Sequence, residues 1–96
     1  MTLNEIRRDL KEVRYYYYRK DVLDKAFKSV SQNNVVEKVN KYNDIVKGAP
    51  PQLYDVYISL YTMNLTQEAL SVELGYTPEY VQMLNKKLLK FIQSKI

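Results

Sequence analysis

The chain contains no cysteine and no histidine. These absences exclude a disulfide framework, a zinc site with Cys and His ligands, a thiol nucleophile and imidazole acid–base chemistry. The two glycines, Gly48 and Gly75, are too few for a glycine-rich loop that binds nucleotide phosphates. We therefore expect no metal, no cofactor, no small-molecule substrate and no enzymatic activity.

Long apolar runs are also missing, and none reaches the roughly 18 to 20 residues that a membrane-spanning helix needs. No basic and then apolar leader opens the chain. We expect a cytoplasmic protein with no membrane partner. At 96 residues, 46% of them apolar, the chain has the length and composition of a single globular domain over residues 1–96.

The spacing of the apolar residues predicts helices. They recur at intervals of three and four throughout the chain, whereas strict apolar and polar alternation is nowhere sustained. The predicted fold is all-α, a bundle of about five helices. The run Gly48-Ala49-Pro50-Pro51 separates the N-terminal helices, residues 1–48, from a C-terminal part, residues 52–96.

The first helix is predicted to begin at a capping box formed by Thr2 and Glu5. Its apolar face runs from Leu3 to Tyr17, but the apolar residues from Val22 to Val30 point about 150° away on the same helical wheel. Either the helix breaks near residues 18–21 or it is packed on two sides. The second apolar direction offers more surface than the remaining helices easily cover, so we expect a homodimer. Asn34 is the predicted cap of the next helix.

Residues 66–84 have the spacing of a helix-turn-helix. Thr66 caps a short helix that ends at Leu74, Gly75 supplies a left-handed turn, and Thr77 with Pro78 starts the last helix. A small residue is needed where two such helices cross, and Ser71 occupies that position. The predicted apolar anchors of the motif are Leu70, Leu74, Tyr76, Val81 and Leu84.

The polar face of the last helix has the residue types that recognise double-stranded DNA. Gln82 is of a type that reads base edges in the major groove, and Lys86, Lys87 and Lys90 are of a type that holds phosphates. A helical hairpin that only packs is the alternative. The candidate DNA-binding residues are Thr66, Gln67, Thr77, Glu79, Tyr80, Gln82, Met83, Lys86, Lys87 and Lys90.

Several short segments carry a family resemblance over most of the chain. In the first half they are Leu10-Lys11-Glu12-Val13-Arg14-Tyr15-Tyr16-Tyr17 and Val39-Asn40-Lys41-Tyr42-Asn43. In the second half they are Leu53-Tyr54-Asp55-Val56-Tyr57, Leu60-Tyr61, Thr66-Gln67-Glu68, Leu74-Gly75-Tyr76, Tyr80-Val81 and Lys86-Lys87-Leu88-Leu89. With these the chain resembles the small phage-encoded late-transcription regulators of Gram-positive hosts, the ArpU/RinA-like group, whose C-terminal part is similar to sigma factor region 4.

The resemblance implies a transcription regulator of a phage, prophage or mobile genetic island, which acts on promoter DNA and touches RNA polymerase or another phage regulator. The chain is shorter than many such regulators and only weakly basic, with a net charge of +4. The alternative function is therefore a non-enzymatic protein-interaction module that binds a transcription regulator or another phage protein.

Ten tyrosines are an unusual feature of a chain of this length. Five of them are predicted to pack the helix interfaces with their hydroxyls at the rim: Tyr16, Tyr17, Tyr42, Tyr57 and Tyr61. The candidate partner-binding residues lie on the first helix and are Arg7, Lys11, Arg14, Tyr15 and Tyr18. A basic series is either a second DNA contact or an ordinary solvated face; it consists of Arg7, Lys11, Arg14, Arg19 and Lys20.

Overall fold

The computed structural model describes residues 1–19 and 33–96. Those residues form five α-helices and no strand, which confirms the predicted all-α fold. A π-helical segment, Ile58–Thr62, directly continues the third helix. The five helices are α1 (Leu3–Tyr18), α2 (Asn33–Val46), α3 (Pro51–Tyr57), α4 (Gln67–Leu74) and α5 (Pro78–Lys95).

The start of α1 is the predicted capping box. The Glu5 amide donates to the Thr2 hydroxyl oxygen (3.1 Å), and the Thr2 amide donates to the Glu5 carboxylate (3.0 Å). The second bond also holds the pKa of Glu5 below its ordinary value, because it stabilises the ionised carboxylate. The helix ends at Tyr18, which agrees with the first of the two predicted alternatives, a break near residues 18–21. The predicted second apolar direction, residues 22–30, lies outside the described residues.

The sequence predicts the start of α3 correctly, but not the start of α2. The prediction that Asn34 caps α2 is wrong, because the helix already includes Asn33. Pro51 is the first residue of α3, where a missing amide proton costs no hydrogen bond. The helix runs on into the π-helical segment, in which the Met63 amide donates to the Ile58 carbonyl (2.9 Å), five residues back.

One hydrophobic core contains buried residues from all five helices. Each helix turns its apolar side toward this core, as the three- and four-residue spacing requires. The most deeply buried members include Ile6, Leu10 and Val13 of α1, Tyr42 and Val46 of α2, Val56 and Tyr57 of α3, Leu70 of α4, and Val81, Leu84, Leu88, Leu89 and Ile92 of α5.

The five tyrosines predicted to pack the interfaces do so, but the prediction that their hydroxyls lie at the rim is wrong for Tyr42 and Tyr57, which are fully buried. Four of the five hydroxyls have hydrogen-bond partners on another element of the fold. The Tyr42 hydroxyl donates to the Asp9 carboxylate (2.6 Å). Asn43 joins two tyrosines, because its amide donates to the Tyr17 hydroxyl (2.9 Å) and its carbonyl oxygen accepts from Tyr57 (2.7 Å). The hydroxyl of the fourth tyrosine, Tyr61, donates to Asn85 of α5 (2.6 Å). These bonds satisfy polar groups that burial has removed from water.

Candidate nucleic-acid interface

The turn between α4 and α5 is closed by a left-handed glycine. Gly75 has φ 72° and ψ 23°, and its amide donates to the Val72 carbonyl (3.3 Å). The next amide, of Tyr76, donates to the Ser71 carbonyl (2.8 Å). This pair of bonds satisfies two of the last carbonyls of α4 and fixes the direction in which the chain leaves the helix.

Threonine caps begin both helices, as the sequence predicts. The hydroxyl of Thr66 accepts a hydrogen bond from the Ala69 amide (3.0 Å), and that of Thr77 accepts one from the Tyr80 amide (3.2 Å). Each cap satisfies an amide that has no partner inside its helix. Pro78 follows as the first residue of α5. Helix, turn and helix are therefore specified by local chemistry.

The contact between α4 and the core includes the predicted small residue. Ser71 is buried, and its hydroxyl donates to the Glu68 carbonyl (2.6 Å), so no polar group is left unpaired. Leu70 is buried beside it. Leu74 and Tyr76, also predicted as anchors, are instead exposed by 43% and 42%. The prediction is wrong for these two residues.

Leu74 and Tyr76 are exposed because of their position at the turn. Leu74 is the last residue of α4, where the chain leaves the surface on which Leu70 packs. The Tyr76 ring packs edge to face on the ring of Tyr80, with 4.7 Å between centroids, instead of entering the core. The short helix therefore buries fewer residues than its apolar spacing indicates.

Replacing Gly75 with valine should lower the free energy of unfolding by about 1 to 2 kcal/mol, because a β-branched residue is strained at positive φ. An added Cβ atom meets nothing within 4 Å, so the whole cost is conformational. Gly48→Ala is the matched control, since a Cβ there makes an ordinary 3.8 Å contact with the Ile45 carbonyl oxygen. Thermal denaturation measures the stability of both variants. If Gly75→Val is as stable as the parent, Gly75 does not need its left-handed conformation.

The surface of α5 that points away from the core is continuous and polar; we call it the outer face of α5. It spans most of the helix, from the first turn to the last. Val81, Leu84 and Leu88 on the opposite side are fully buried and hold the helix in place. The exposed residues of the outer face are Glu79, Gln82, Met83, Lys86, Lys87, Lys90 and Gln93.

Tyr80 lies at the border of the outer face of α5. It is 36% exposed, and its hydroxyl accepts a hydrogen bond from the side-chain amide of Gln52 (3.3 Å) at the start of α3. Thr66 and Gln67 stand at the start of α4, and Thr77 at the start of α5. The candidate DNA-binding residues therefore occupy the beginnings of both helices and one continuous side of the second.

The lysines of the outer face of α5 are available to an external anion. Within residues 1–19 and 33–96, no carboxylate lies in ion-pair distance of Lys86, Lys87 or Lys90. Lys95, near the end of the helix, lies over the ring of Phe91 at 5.6 Å. Glu79 is the one acidic residue of α5, and it lies in the first turn. Positive charge therefore increases along the face away from the N-terminus of α5.

The candidate partner-binding residues of α1 fall into two groups. Tyr15 and Tyr18 are 57% and 71% exposed, and Arg7 and Lys11 are also exposed. Arg14 lies apart from them. Its guanidinium donates to the side-chain carbonyl of Asn64 (3.1 Å) and to the backbone carbonyl of the same residue (3.3 Å). Because Asn64 has φ 60°, which is rare outside glycine, Arg14 holds an unusual loop conformation in place.

Sequence reasoning missed one basic residue that shares the exposed side of α1 with the tyrosines. Arg8 is exposed, as is Arg19, which the predicted basic series includes. Spacing is the signal that identifies Arg8, because Arg8, Lys11 and Tyr15 follow one another at three and four residues and so lie on one line along the helix. The predicted series used Arg14, which belongs to a different side.

A cleft of about 360 Å³ lies between α2 and α3. Its walls include Tyr17, Asn43 and Tyr57, whose polar groups are hydrogen-bonded to one another. Asp44 and Lys47 at its edge form an ion pair (3.3 Å). These groups serve the packing of the helices, so the cleft is a weaker candidate site than the outer face of α5.

Other kinds of site are absent from the residues that the structure describes. Among the residues that the structure describes, no group of three or more acidic side chains is gathered as a metal site would need. None of the helices in residues 1–19 and 33–96 has the length and apolar character to cross a membrane. Comparison of the chain with protein-family models, with curated proteins and with solved structures found no match.

Proposed function

We propose that this protein binds double-stranded DNA and regulates transcription, with the outer face of α5 lying in the major groove. The groove is about 12 Å wide and admits one α-helix. In helix-turn-helix proteins the second helix of the motif enters the groove, and its N-terminal residues meet the base edges. Here that helix is α5.

One observation carries the proposal: one side of α5 is buried in the core, and the other side is exposed along most of the helix. Val81, Leu84 and Leu88 have 0%, 1% and 0% exposure. The outer face of α5 remains in solvent beside them, and α4 braces the helix through the turn at Gly75. A DNA-reading helix needs both properties, because base recognition depends on side chains held in a fixed position.

Four residues of the outer face have roles in this proposal. Gln82 lies at the N-terminal end of the face, where its amide can pair with a base edge, and Glu79 can accept from a cytosine amino group. Lys86 and Lys90 lie further along, where the helix rises toward the DNA backbone, and they contact phosphates. Specificity therefore resides in the first turns of α5 and affinity in the later ones.

The genetic context of the proposed regulator comes from the family resemblance of the sequence. It favours a phage, a prophage or a mobile genetic island, with RNA polymerase or another phage regulator as a second partner. A homodimer remains part of the proposal, since operators read by such motifs commonly present two half-sites. Sedimentation in the presence and absence of DNA measures the oligomeric state.

Replacing Gln82 with alanine should cost about 1 to 3 kcal/mol of binding free energy on the preferred DNA site and little on other sequences. Lys86→Ala should weaken binding to all sequences alike, because a phosphate contact carries no sequence information. Selection from random duplex DNA identifies the site, and titration of each variant on that site and on a scrambled one measures both effects.

The matched control is Lys47→Ala, which removes an exposed lysine that is paired with Asp44 on α2. We expect it to bind DNA like the parent. Selection that enriches no sequence, together with equal binding by Lys86→Ala and Lys47→Ala, would refute the proposal. The protein-interaction module that binds another regulator would then be the better account of the outer face of α5.

A further inference from the structure

The charges of α1 are divided between two sides of the helix. All three of its carboxylates are used within the protein. Glu5 belongs to the capping box, Asp9 accepts from Tyr42 and pairs with Lys38 (3.3 Å), and Glu12 pairs with the same lysine. Each carboxylate of α1 thus has a partner within the protein, in the capping box or on α2.

The basic side of α1 has no such compensation. We call it the basic face of α1, and its residues are Arg7, Arg8, Lys11, Tyr15, Tyr18 and Arg19. In the part of the chain that the structure describes, no carboxylate lies within ion-pair distance of its three arginines or its lysine. The face therefore presents four positive charges to solvent beside two exposed tyrosines, which is a much higher local charge than the +4 of the whole chain suggests.

The helix α1 packs against α5 and against the π-helical segment. Just before α1, the Met1 carbonyl accepts a hydrogen bond from the side-chain amide of Gln93 on α5 (2.9 Å). Tyr61 of the π-helical segment donates to Asn85 of α5, the residue before Lys86.

We infer that the basic face of α1 is a second DNA contact, which binds phosphates of the same duplex beside the groove entered by α5. This inference rests on the proposed function. Its basis is charge complementarity: DNA is a dense line of negative charge, and the exposed cations of α1 lie on a helix that packs against α5, which carries Lys86 and Lys90. The tyrosine hydroxyls add neutral donors of the kind that also contact phosphate oxygens.

Salt dependence of DNA binding tests the inference directly. The logarithm of the association constant falls with the logarithm of salt concentration, with a slope of about 0.9 for each phosphate contact. The double variant Arg8→Ala/Lys11→Ala should therefore reduce the slope by about 1.8 on a mixed-sequence duplex. Arg8→Lys/Lys11→Arg, which keeps both charges, should retain the parental slope.

Two further double variants make the outcomes distinguishable. Lys41→Ala/Lys47→Ala removes the same net charge from two exposed lysines, one on α2 and one directly after it, and should leave the slope unchanged. If Lys86→Ala/Lys90→Ala reduces the slope and Arg8→Ala/Lys11→Ala does not, the basic face of α1 is not a DNA contact and the proposed function stands. If neither pair changes the slope, both the inference and the proposed function fail.

Discussion

Alkaline solution should unfold this protein, because Tyr42 and Tyr57 are buried as neutral phenols. Both side chains have 0% exposure. Burial raises the pKa of each hydroxyl well above its ordinary value, since a phenolate would lose its hydration inside the core. For Tyr42 the neighbouring Asp9 carboxylate acts in the same direction, because it accepts the phenolic proton and would repel a phenolate.

The loss of stability should begin near pH 10, where a tyrosine in the unfolded chain ionises. Below that pH both states are neutral and the stabilisation is fully present. Above it, the unfolded state releases protons that the folded state retains, so each buried tyrosine lowers the free energy of unfolding by about 1.4 kcal/mol per pH unit. Two such groups remove about 5 kcal/mol by pH 12, which equals the whole stability of a weakly stable domain.

Denaturant titrations at several pH values measure this fall in the free energy of unfolding. They are followed by circular dichroism and by tyrosinate absorbance. Tyr42→Phe and Tyr57→Phe should each reduce the pH slope by about 1.4 kcal/mol per unit. Tyr18→Phe is the matched control, because Tyr18 is 71% exposed. It should keep the parental slope. A free energy of unfolding that stays constant to pH 12 would show that these rings are open to water.

The elements that the sequence predicted best are those specified by neighbouring residues. The capping box at Thr2, the threonine caps of α4 and α5, and the left-handed turn at Gly75 all follow from side chains or backbone freedom within a few positions. Such features depend little on the rest of the fold, so a single sequence suffices to find them. The all-α fold follows from the apolar spacing for the same reason.

Contacts between distant parts of the chain were not predictable in this way. Arg14 has the spacing of an exposed residue beside Lys11, yet it binds Asn64, fifty positions away along the chain. Equally, nothing in the local sequence says that Lys38 pairs with two of the carboxylates of α1. Periodicity indicates which side a residue occupies but not which helix covers that side, and this is why the composition of the basic face of α1 required the structure.

The outer face of α5 was predictable because the inner side of the helix is unambiguous. Val81, Leu84 and Leu88 follow at three and four residues and are all buried, so the residues on the opposite side of the helix are exposed. The shorter α4 offers less information. With eight residues it has two turns, and its end lies too close to the turn for spacing alone to decide whether a leucine reaches the core.

Two leucines of α4 should differ greatly in their contribution to the free energy of unfolding. Leu70 is 1% exposed and Leu74 is 43% exposed, although they lie one helical turn apart. Leu70→Ala removes buried methyl groups and leaves a cavity between α4 and the core, so it should lower the free energy of unfolding by about 2 to 5 kcal/mol. Leu74→Ala should cost less than about 1 kcal/mol, because much of that side chain is already in water.

Chemical denaturation of the two variants beside the parent measures this difference, and each serves as the control for the other because both changes are Leu→Ala in one helix. Equal losses for Leu70→Ala and Leu74→Ala would mean that α4 packs in another register, with Leu74 among the anchors. A larger loss of stability for Leu70→Ala than for Leu74→Ala instead means that Leu70 and the buried Ser71 hold α4 against the bundle. In that case the turn at Gly75 transmits the position of α4 to the first residues of α5, where Gln82 would meet the DNA.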